Sequence, residues 1–209
     1  MILIGQYDSP FVRRVGIALT LYQLPFTQQA WSVFGDADKL RAYNPLVRVP
    51  ILVLDDGEAL IESHHILDYL DGLVGPERAL FPAAGLPRRK ALKVAALASG
   101  LGDKAVSLFY EQRLHAQVSD IWVTRCRAQI RQVARVLEDD CCQRTGTCWF
   151  GDTPGHADIA VAAVWRFVSE AHPGLVPDVD FPALAAHTRR LEAMAVFQSV
   201  SQAFAPPAS

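Results

Sequence analysis

The 209-residue sequence has almost no net charge and no long apolar run. Its 20 Lys and Arg residues nearly balance 22 Asp and Glu residues, so the formal net charge is −2. Nothing in this balance suggests a polyanionic partner such as nucleic acid. No apolar segment has the length needed to span a bilayer, and the N-terminus lacks the basic and apolar regions of a secretory signal. We therefore expect a cytoplasmic protein with neither a nucleic-acid nor a membrane partner.

Cysteine is scarce and poorly spaced for holding a metal. None of the four cysteines belongs to a CxxC pair, and the six histidines show no HxxxH spacing. The adjacent His64 and His65 would point in different directions from a helix. We expect no metal cofactor and predict buried or half-buried free thiols. The cysteines are Cys126, Cys141, Cys142 and Cys148.

Strand-like and helical segments alternate up to about residue 75. Their order, β-α-β-α-β-β-α, predicts a small mixed sheet with helices on its faces. An Asp-Asp-Gly turn joins the last two strands. The predicted strands are 2–5, 26–30, 50–54 and 59–61, and the predicted helices are 10–23, 36–43 and 62–74, the last of them capped by Ser63.

The predicted secondary structure changes after residue 75, from mixed strands and helices to helices alone. A stretch rich in Pro, Gly and Ala predicts a linker over 76–87, and almost everything from residue 88 onward has helical periodicity. Three regions follow: a mixed α/β domain over 1–75, the linker, and an all-helical domain over 88–209. The predicted helices of the second domain are 88–117, 119–144, 157–171 at the centre of a bundle, 184–194 and 195–204, with a frayed tail from Ala205 to Pro207.

The first eleven residues carry the most chemical information. An apolar strand leads through Gly5-Gln6-Tyr7-Asp8 into Ser9-Pro10-Phe11. Serine suits a helix N-cap and proline suits the first helical position. This places a hydroxyl at the positive end of a helix dipole, where anions and thiolates are stabilised. From this pattern alone, a serine that only caps its helix is the simpler interpretation.

Three further patterns follow this one along the chain at fitting separations. They are the segments 44–50 (Asn-Pro-Leu-Val-Arg-Val-Pro), Glu62-Ser63, and 151–160, which ends in Ala-Asp-Ile-Ala. Together the four patterns resemble the cytosolic glutathione transferase family over nearly the whole chain. That resemblance implies a thioredoxin-like N-terminal domain and an all-helical C-terminal domain. The Ser-Pro-Phe-Val-Arg opening is similar to the serine-type members, including bacterial and plant tau-like enzymes.

The resemblance implies that Ser9 is the catalytic residue. A free thiol has a pKa of about 8.5, and a hydroxyl that donates to the sulfur at a helix N-terminus favours the thiolate of glutathione. Tyr7 is the rival donor, because other branches of the family use a tyrosine at the end of this strand. Arg13, one turn into the helix, is expected to be solvated or to lie behind the residues that contact the ligand.

The resemblance also implies the residues that bind glutathione. Ser63 and Glu62 would receive the γ-glutamyl carboxylate and ammonium groups, and Arg48 would reach the glycine carboxylate. Val49 and Pro50, joined by a cis peptide in the family, would offer backbone to the cysteinyl amide. Ser63 also has a simpler interpretation as a helix cap, and Glu62 and Arg48 have one as solvated charges. The complete predicted glutathione-binding set is Ser9, Phe11, Arg48, Val49, Pro50, Glu62 and Ser63.

A second-substrate pocket is expected between the two domains. Its aromatic candidates are each more often core residues than pocket residues. In the family a Ser or Thr caps the central helix of the bundle, whereas Gly155 stands there in this chain, with Asp158 three residues on. This capping interaction concerns folding and not catalysis. The pocket candidates are Tyr7, Phe11, Phe34, Phe109, Tyr110 and Trp165.

The function implied is that of a homodimeric glutathione transferase in detoxification. Glutathione would be the co-substrate and a hydrophobic electrophile the second substrate. Peroxide reduction and isomerisation with glutathione are alternatives, as is a non-catalytic interaction or regulatory module with the same fold. Thiol transfer is disfavoured because it calls for a cysteine in place of Ser9. The joint presence of Ser9, Arg48, Glu62 and Ser63 favours the enzyme over the module.

Overall fold

A computed structural model gives the arrangement of residues 1–206. The order of elements in the first 75 residues is the predicted β-α-β-α-β-β-α. The strands are β1 (Ile2–Ile4), β2 (Thr27–Gln29), β3 (Ile51–Val53) and β4 (Ala59–Ile61). The helices are α1 (Pro10–Leu21), α2 (Ala37–Arg41), α3 (Ser63–Val74), α4 (Gly85–Leu114), α5 (Asp120–Gln143), α6 (His156–Ala171), α7 (Pro182–Glu192) and α8 (Ala195–Ser199).

The four strands form one mixed sheet in the order β2-β1-β3-β4. β1 runs parallel to β2 and antiparallel to β3, and β3 runs antiparallel to β4. A parallel β1–β2 pair requires a crossover connection, and α1 provides it. This is the small mixed sheet predicted from the order of the segments, and it has the thioredoxin-like fold that the family resemblance implies.

Side chains that alternate along the strands give the sheet two apolar faces. On one face, Leu3 and Leu52 pack with the buried sides of α1 and α3. On the other, Ile4 and Ile51 pack with Leu40 of α2. Both faces of the sheet are therefore covered. The β1–α1 loop, residues 5–9, lies at the end of the sheet where β1 stops and α1 begins.

The second compact unit, Ala84–Glu192, consists of α4 to α7. Helix α6 is buried along nearly its whole length, which confirms its predicted place at the centre of the bundle. Helix α4 begins at Gly85, three residues before the predicted start, because Pro87 falls in the first turn, where it removes no intrahelical hydrogen bond. No helix among the described residues is long and apolar enough to cross a membrane.

The first compact unit contains Met1–Ala83 together with residues 193–206. Helix α8 is shorter than predicted: it ends at Ser199, and residues 200–205 continue without regular structure. The prediction that Ala205 belongs to a frayed tail is wrong, because its backbone N–H donates to Asp8 at 3.1 Å. Pro207, the end of that predicted tail, lies outside the described residues.

Candidate active site

Ser9 caps α1 in the predicted manner. Its backbone is extended (φ −69°, ψ 121°), Pro10 is the first helical residue, and the Ser9 hydroxyl oxygen accepts from the Val12 N–H at 3.4 Å. That long bond occupies a lone pair of the hydroxyl and leaves its O–H free to donate. The side chain is only partly buried. A donor at the N-terminus of a 12-residue helix is thus accessible to a ligand with a negatively charged atom.

Gly5 allows three segments to meet beside Ser9. Its φ of +131° is a conformation that side chains rarely adopt, and a Cβ at this position would lie 2.5 Å from Val12 and 3.0 Å from Val49. The end of β1, the first turn of α1 and the segment before β3 therefore come together at this residue. The peptide between Val49 and Pro50 is cis, as predicted.

Tyr7 points away from the start of α1. A Cβ added at Gly16 would lie 2.9 Å from Cε1 and 3.4 Å from Cζ of the Tyr7 ring, so this ring rests on the second turn of the helix. Gly16 is seven residues beyond Ser9, which corresponds to about 10 Å along the helix axis. Burial raises the pKa of the Tyr7 phenol above its usual value. This geometry favours Ser9 over Tyr7 as the donor.

Glu62 and Ser63 lie where β4 meets α3. Glu62 has φ +66° and ψ 118°, a sparsely populated conformation that costs roughly 1–3 kcal/mol. Ser63 is buried and is the first residue of α3, so the prediction that it caps this helix is wrong. The N-cap residue of α3 is Glu62, and its side chain makes no capping hydrogen bond. The first N–H groups of α3 thus have no side-chain cap and are suited to an anion.

Arg48 and Glu62 form an ion pair. Arg48 Nη1 lies 3.4 Å from Glu62 Oε1, and 54% and 37% of the two side chains are exposed. Buried Asn44 supports this arrangement, because its amide donates to the Arg48 carbonyl at 2.9 Å and accepts from the Leu46 N–H at 3.0 Å. The structure therefore brings together a cation and an anion that the sequence assigned to opposite ends of glutathione.

A second arginine, not predicted as a site residue, contacts the first turn of α3. Arg14 is 1% exposed, and its Nη2 lies 3.4 Å from Nδ1 of His64, the second residue of α3. Burial and the charge of Arg14 lower the pKa of His64. Burial also lowers the pKa of Arg14 itself to about 10, so the guanidinium remains charged at neutral pH. A buried positive charge close to the start of α3 favours an anion there.

Arg13 is buried, so of the two predicted alternatives the solvated side chain is wrong. It is 2% exposed, and its guanidinium donates to the Val200 carbonyl at 2.8 Å and to the Phe197 carbonyl at 3.0 Å. The contact joins residues 184 to 187 positions apart, so no local pattern in the sequence could indicate it.

The predicted aromatic pocket residues lie in both units. Phe11 is partly buried on α1 and Phe34 is 44% exposed after β2, both in the first unit. Phe109 and Tyr110 are adjacent and partly buried on α4 in the second unit. Trp165 is 4% exposed and packs edge-on against Phe181, so it belongs to the helical core and is removed from the pocket set.

The cysteines are free thiols, as predicted. Cys126, Cys141 and Cys148 are buried. Cys142 is exposed, so the prediction of a buried or half-buried thiol is wrong at that position. Burial raises the pKa of Cys141 to about 11 and also raises that of Cys148. Since the thiolate is the nucleophilic form, these two residues are poorly suited to thiol chemistry.

The predicted capping interaction of α6 is present with glycine at the cap. Asp158 accepts from the Gly155 N–H at 3.0 Å, and also from the Trp149 N–H at 2.9 Å. Its carboxyl is 1% exposed and lies among the residues that hold the start of α6. Asp158 therefore has a role in folding, as expected.

Comparison with known proteins agrees with this architecture. Residues 3–78 match the family described as "Glutathione S-transferase, N-terminal domain", and residues 120–190 match "Glutathione S-transferase, C-terminal domain". The chain is 33% identical over 139 residues to an uncharacterized GST-like protein, YibF, of Escherichia coli K12, which covers 66% of this chain and 68% of the relative. It is also 33% identical over 171 residues to a maleylacetoacetate isomerase of Pseudomonas aeruginosa, covering 76% and 77% of the two chains.

A solved structure extends the likeness to the full length. The glutathione S-transferase of Methylobacterium radiotolerans, in complex with glutathione sulfonate, superposes with a TM-score of 0.88 at 30% identity, covering 100% of this chain and 99% of that one. The likeness therefore extends over nearly the whole of both chains. The chain belongs to the glutathione S-transferase family.

Proposed function

We propose that this protein is a glutathione transferase in which Ser9 donates a hydrogen bond to the sulfur of glutathione. The observation that carries the proposal is the position of the Ser9 hydroxyl, accessible at the N-terminus of α1, while the Tyr7 ring rests on Gly16. A relative of the same length and fold has glutathione sulfonate bound. A serine is too weak a base to remove the thiol proton, so its role is to stabilise the thiolate once formed.

The groups around Glu62 suit the charged ends of glutathione. The γ-glutamyl ammonium would take Glu62 as its partner, and the α-carboxylate would meet the start of α3 with buried Arg14 behind it. Arg48 would then be released from Glu62 to pair with the glycine carboxylate. The backbone of Val49, held against Gly5, would pair with the cysteinyl amide.

The second substrate is proposed to be a hydrophobic electrophile. Phe11, one residue inside α1, and exposed Phe34 supply apolar surface in the unit that contains Ser9. In conjugation, the glutathione thiolate attacks an electrophilic carbon, a carbon–sulfur bond forms, and the leaving group departs with the bonding electrons. We also propose that the protein acts as a homodimer.

Isomerisation is the second candidate function. The relative from Pseudomonas aeruginosa, of which this chain covers 77%, is a maleylacetoacetate isomerase. Such a reaction would use the same thiolate, which adds to a conjugated double bond and leaves again after rotation about the resulting single bond. It therefore requires the same site and differs in the product, since glutathione is regenerated.

Retention on immobilised glutathione, followed by turnover assays, tests the proposal. Electrophiles would include halogenated aromatics, epoxides and cis-configured conjugated diketo acids, with hydroperoxides as a separate class. We expect Ser9→Ala to retain glutathione binding and to lower turnover about 100-fold, since one preorganised donor contributes about that factor. Tyr7→Phe, the matched control, should keep wild-type turnover. Equal activity of Ser9→Ala and wild type on every substrate turned over would reject Ser9 as the sulfur's partner.

A further inference from the structure

The segment after α8, residues 200–205, crosses the β1–α1 loop and is called the strap below. Gln202 Oε1 accepts from the Tyr7 backbone N–H at 3.2 Å, and the Ala205 N–H donates to Asp8 Oδ2 at 3.1 Å. Tyr7 and Asp8 are the two residues immediately before Ser9. The strap therefore bonds to the stretch of backbone that delivers the proposed catalytic hydroxyl.

A buried charge fixes the start of the strap. Arg13 donates to the carbonyls of Phe197 and Val200, and its guanidinium lies 5.7 Å from the centre of the Phe197 ring. Phe197 is fully buried, and Val200 lies so close to α1 that a Cβ at Gly16 would be 2.8 Å from it. Hydrogen bonds from a charged donor are among the stronger ones in proteins, so the strap begins from a firm anchor.

Two backbone hydrogen bonds hold the ends of the loop. Gly5 N–H donates to the Gln29 carbonyl and Ser9 N–H to the Gln6 carbonyl, at 2.9 and 3.2 Å. Between these points, the Tyr7 N–H is held by the Gln202 side chain, from a residue 195 positions away. Small displacements matter here, because the strength of a hydrogen bond falls steeply with distance and angle.

We propose that the strap positions Ser9, with Gln202 as the principal positioning residue and the Ala205–Asp8 bond as its support. This inference rests on the proposed function of Ser9. Gln202 acts through the Tyr7 backbone and so does not need to touch glutathione. Loss of its acceptor would let the loop shift and would weaken the bond from Ser9 to the sulfur, while Glu62, Arg48 and the start of α3 would still hold the ends of the tripeptide.

The test compares Gln202→Met with Gln198→Met. Methionine keeps the length of the side chain and removes the acceptor, and Gln198 is an exposed glutamine on α8 whose amide lies 3.4 Å from the Ala193 carbonyl. The readouts are the affinity for glutathione, the pKa of the bound thiol from its thiolate absorbance, and kcat. We expect Gln202→Met to raise the thiol pKa by about one unit and to lower kcat about tenfold, with the glutathione Kd unchanged at a pH below the thiol pKa, where bound glutathione keeps its proton.

Ser9→Ala and the double variant Ser9→Ala/Gln202→Met complete a double-mutant cycle. The cycle distinguishes an effect of Gln202 that acts through Ser9 from a general effect on the structure. We expect the double variant to match Ser9→Ala, because Gln202 has no hydroxyl left to position. If Gln202→Met matches Gln198→Met, or lowers kcat by the same factor in both backgrounds, the inference about the strap is wrong while the role of Ser9 stands. If Ser9→Ala matches wild type, the proposed function and the inference fail together.

Ala205→Pro provides an independent perturbation of the strap. It removes the N–H that donates to Asp8 at an exposed position and leaves every side chain of the loop in place. A rise in the thiol pKa in the same direction as for Gln202→Met supports the inference. Should Gln202→Met fail to fold, an Ala205→Pro enzyme with the wild-type thiol pKa overturns it.

Discussion

Removal of the buried imidazole of His187 should change how the stability of this protein depends on pH. His187 is fully buried, and its Nδ1 accepts from Arg144 Nη1 at 2.6 Å and from Arg190 Nη2 at 3.1 Å. An acceptor Nδ1 requires the neutral ring. Burial, followed by the charges of the two arginines, lowers the pKa of His187 from 6.5 to about 3.

The sign and size of the effect follow from linkage. As the pH falls below 6.5, the unfolded state binds a proton at this histidine, whereas the native state does not until the pH approaches its lowered pKa. Protonation therefore favours the unfolded state, and the stability that His187 contributes is lost as the pH falls. Between pH 7.5 and 5.5 the loss amounts to about 1.4 kcal/mol of unfolding free energy, and it grows by about the same amount for each further unit down to the native pKa.

The assay is urea unfolding of wild type and His187→Asn at several pH values, followed by tryptophan fluorescence. Trp122, Trp149 and Trp165 report on the unit that contains His187. Asparagine can present an oxygen acceptor to the arginines and does not titrate. We expect the difference in unfolding free energy between the two proteins to be constant above pH 7 and to shift against wild type by about 1.4 kcal/mol at pH 5.5. A difference that stays constant over this range would refute a neutral, buried His187.

Three further outcomes are expected. Asp158→Ala should lower the free energy of unfolding by roughly 2–5 kcal/mol in urea, because two partly buried N–H groups lose their acceptor. A loss below about 1 kcal/mol would contradict this. Gly16→Ala should lower the Tm, since overpacking against the Tyr7 ring and the strap costs roughly 1–3 kcal/mol, more than the gain in helix propensity; an unchanged Tm would count against this packing. Arg48→Met should raise the KM for glutathione with less than about 1 kcal/mol change in stability, because its pair with Glu62 is exposed; an unchanged KM would remove Arg48 from the site.

Much of the first unit could be predicted from local patterns. Short strand-like segments and a turn signal indicated all four strands, and Ser9-Pro10 indicated the start of α1 to the residue. Both patterns involve residues only a few positions apart, so they can be recognised directly in the sequence. The error at Ser63 has a local cause as well: the positive φ of Glu62 moves the start of α3 by one residue, and glutamate gives no warning of such a conformation.

The parts that could not be predicted depend on contacts between distant residues. Arg13 is charged and lies one turn into α1, where solvent exposure is the ordinary expectation, yet it binds carbonyls near the end of the chain. The same contact explains why α8 ends early, since the chain leaves the helix to lie against α1 and the β1–α1 loop. The Arg48–Glu62 pair is of the same kind, because it joins two loops that the order of the strands brings together.

The pKa of the thiol of bound glutathione, measured from its thiolate absorbance in wild type and Ser9→Ala, tests the central claim most directly. The account predicts that wild type lowers this pKa by one unit or more below the value of about 8.5 for a free thiol, and that Ser9→Ala returns it most of the way. The same depressed pKa in both proteins, or one near 8.5 in wild type, would contradict the assignment of Ser9.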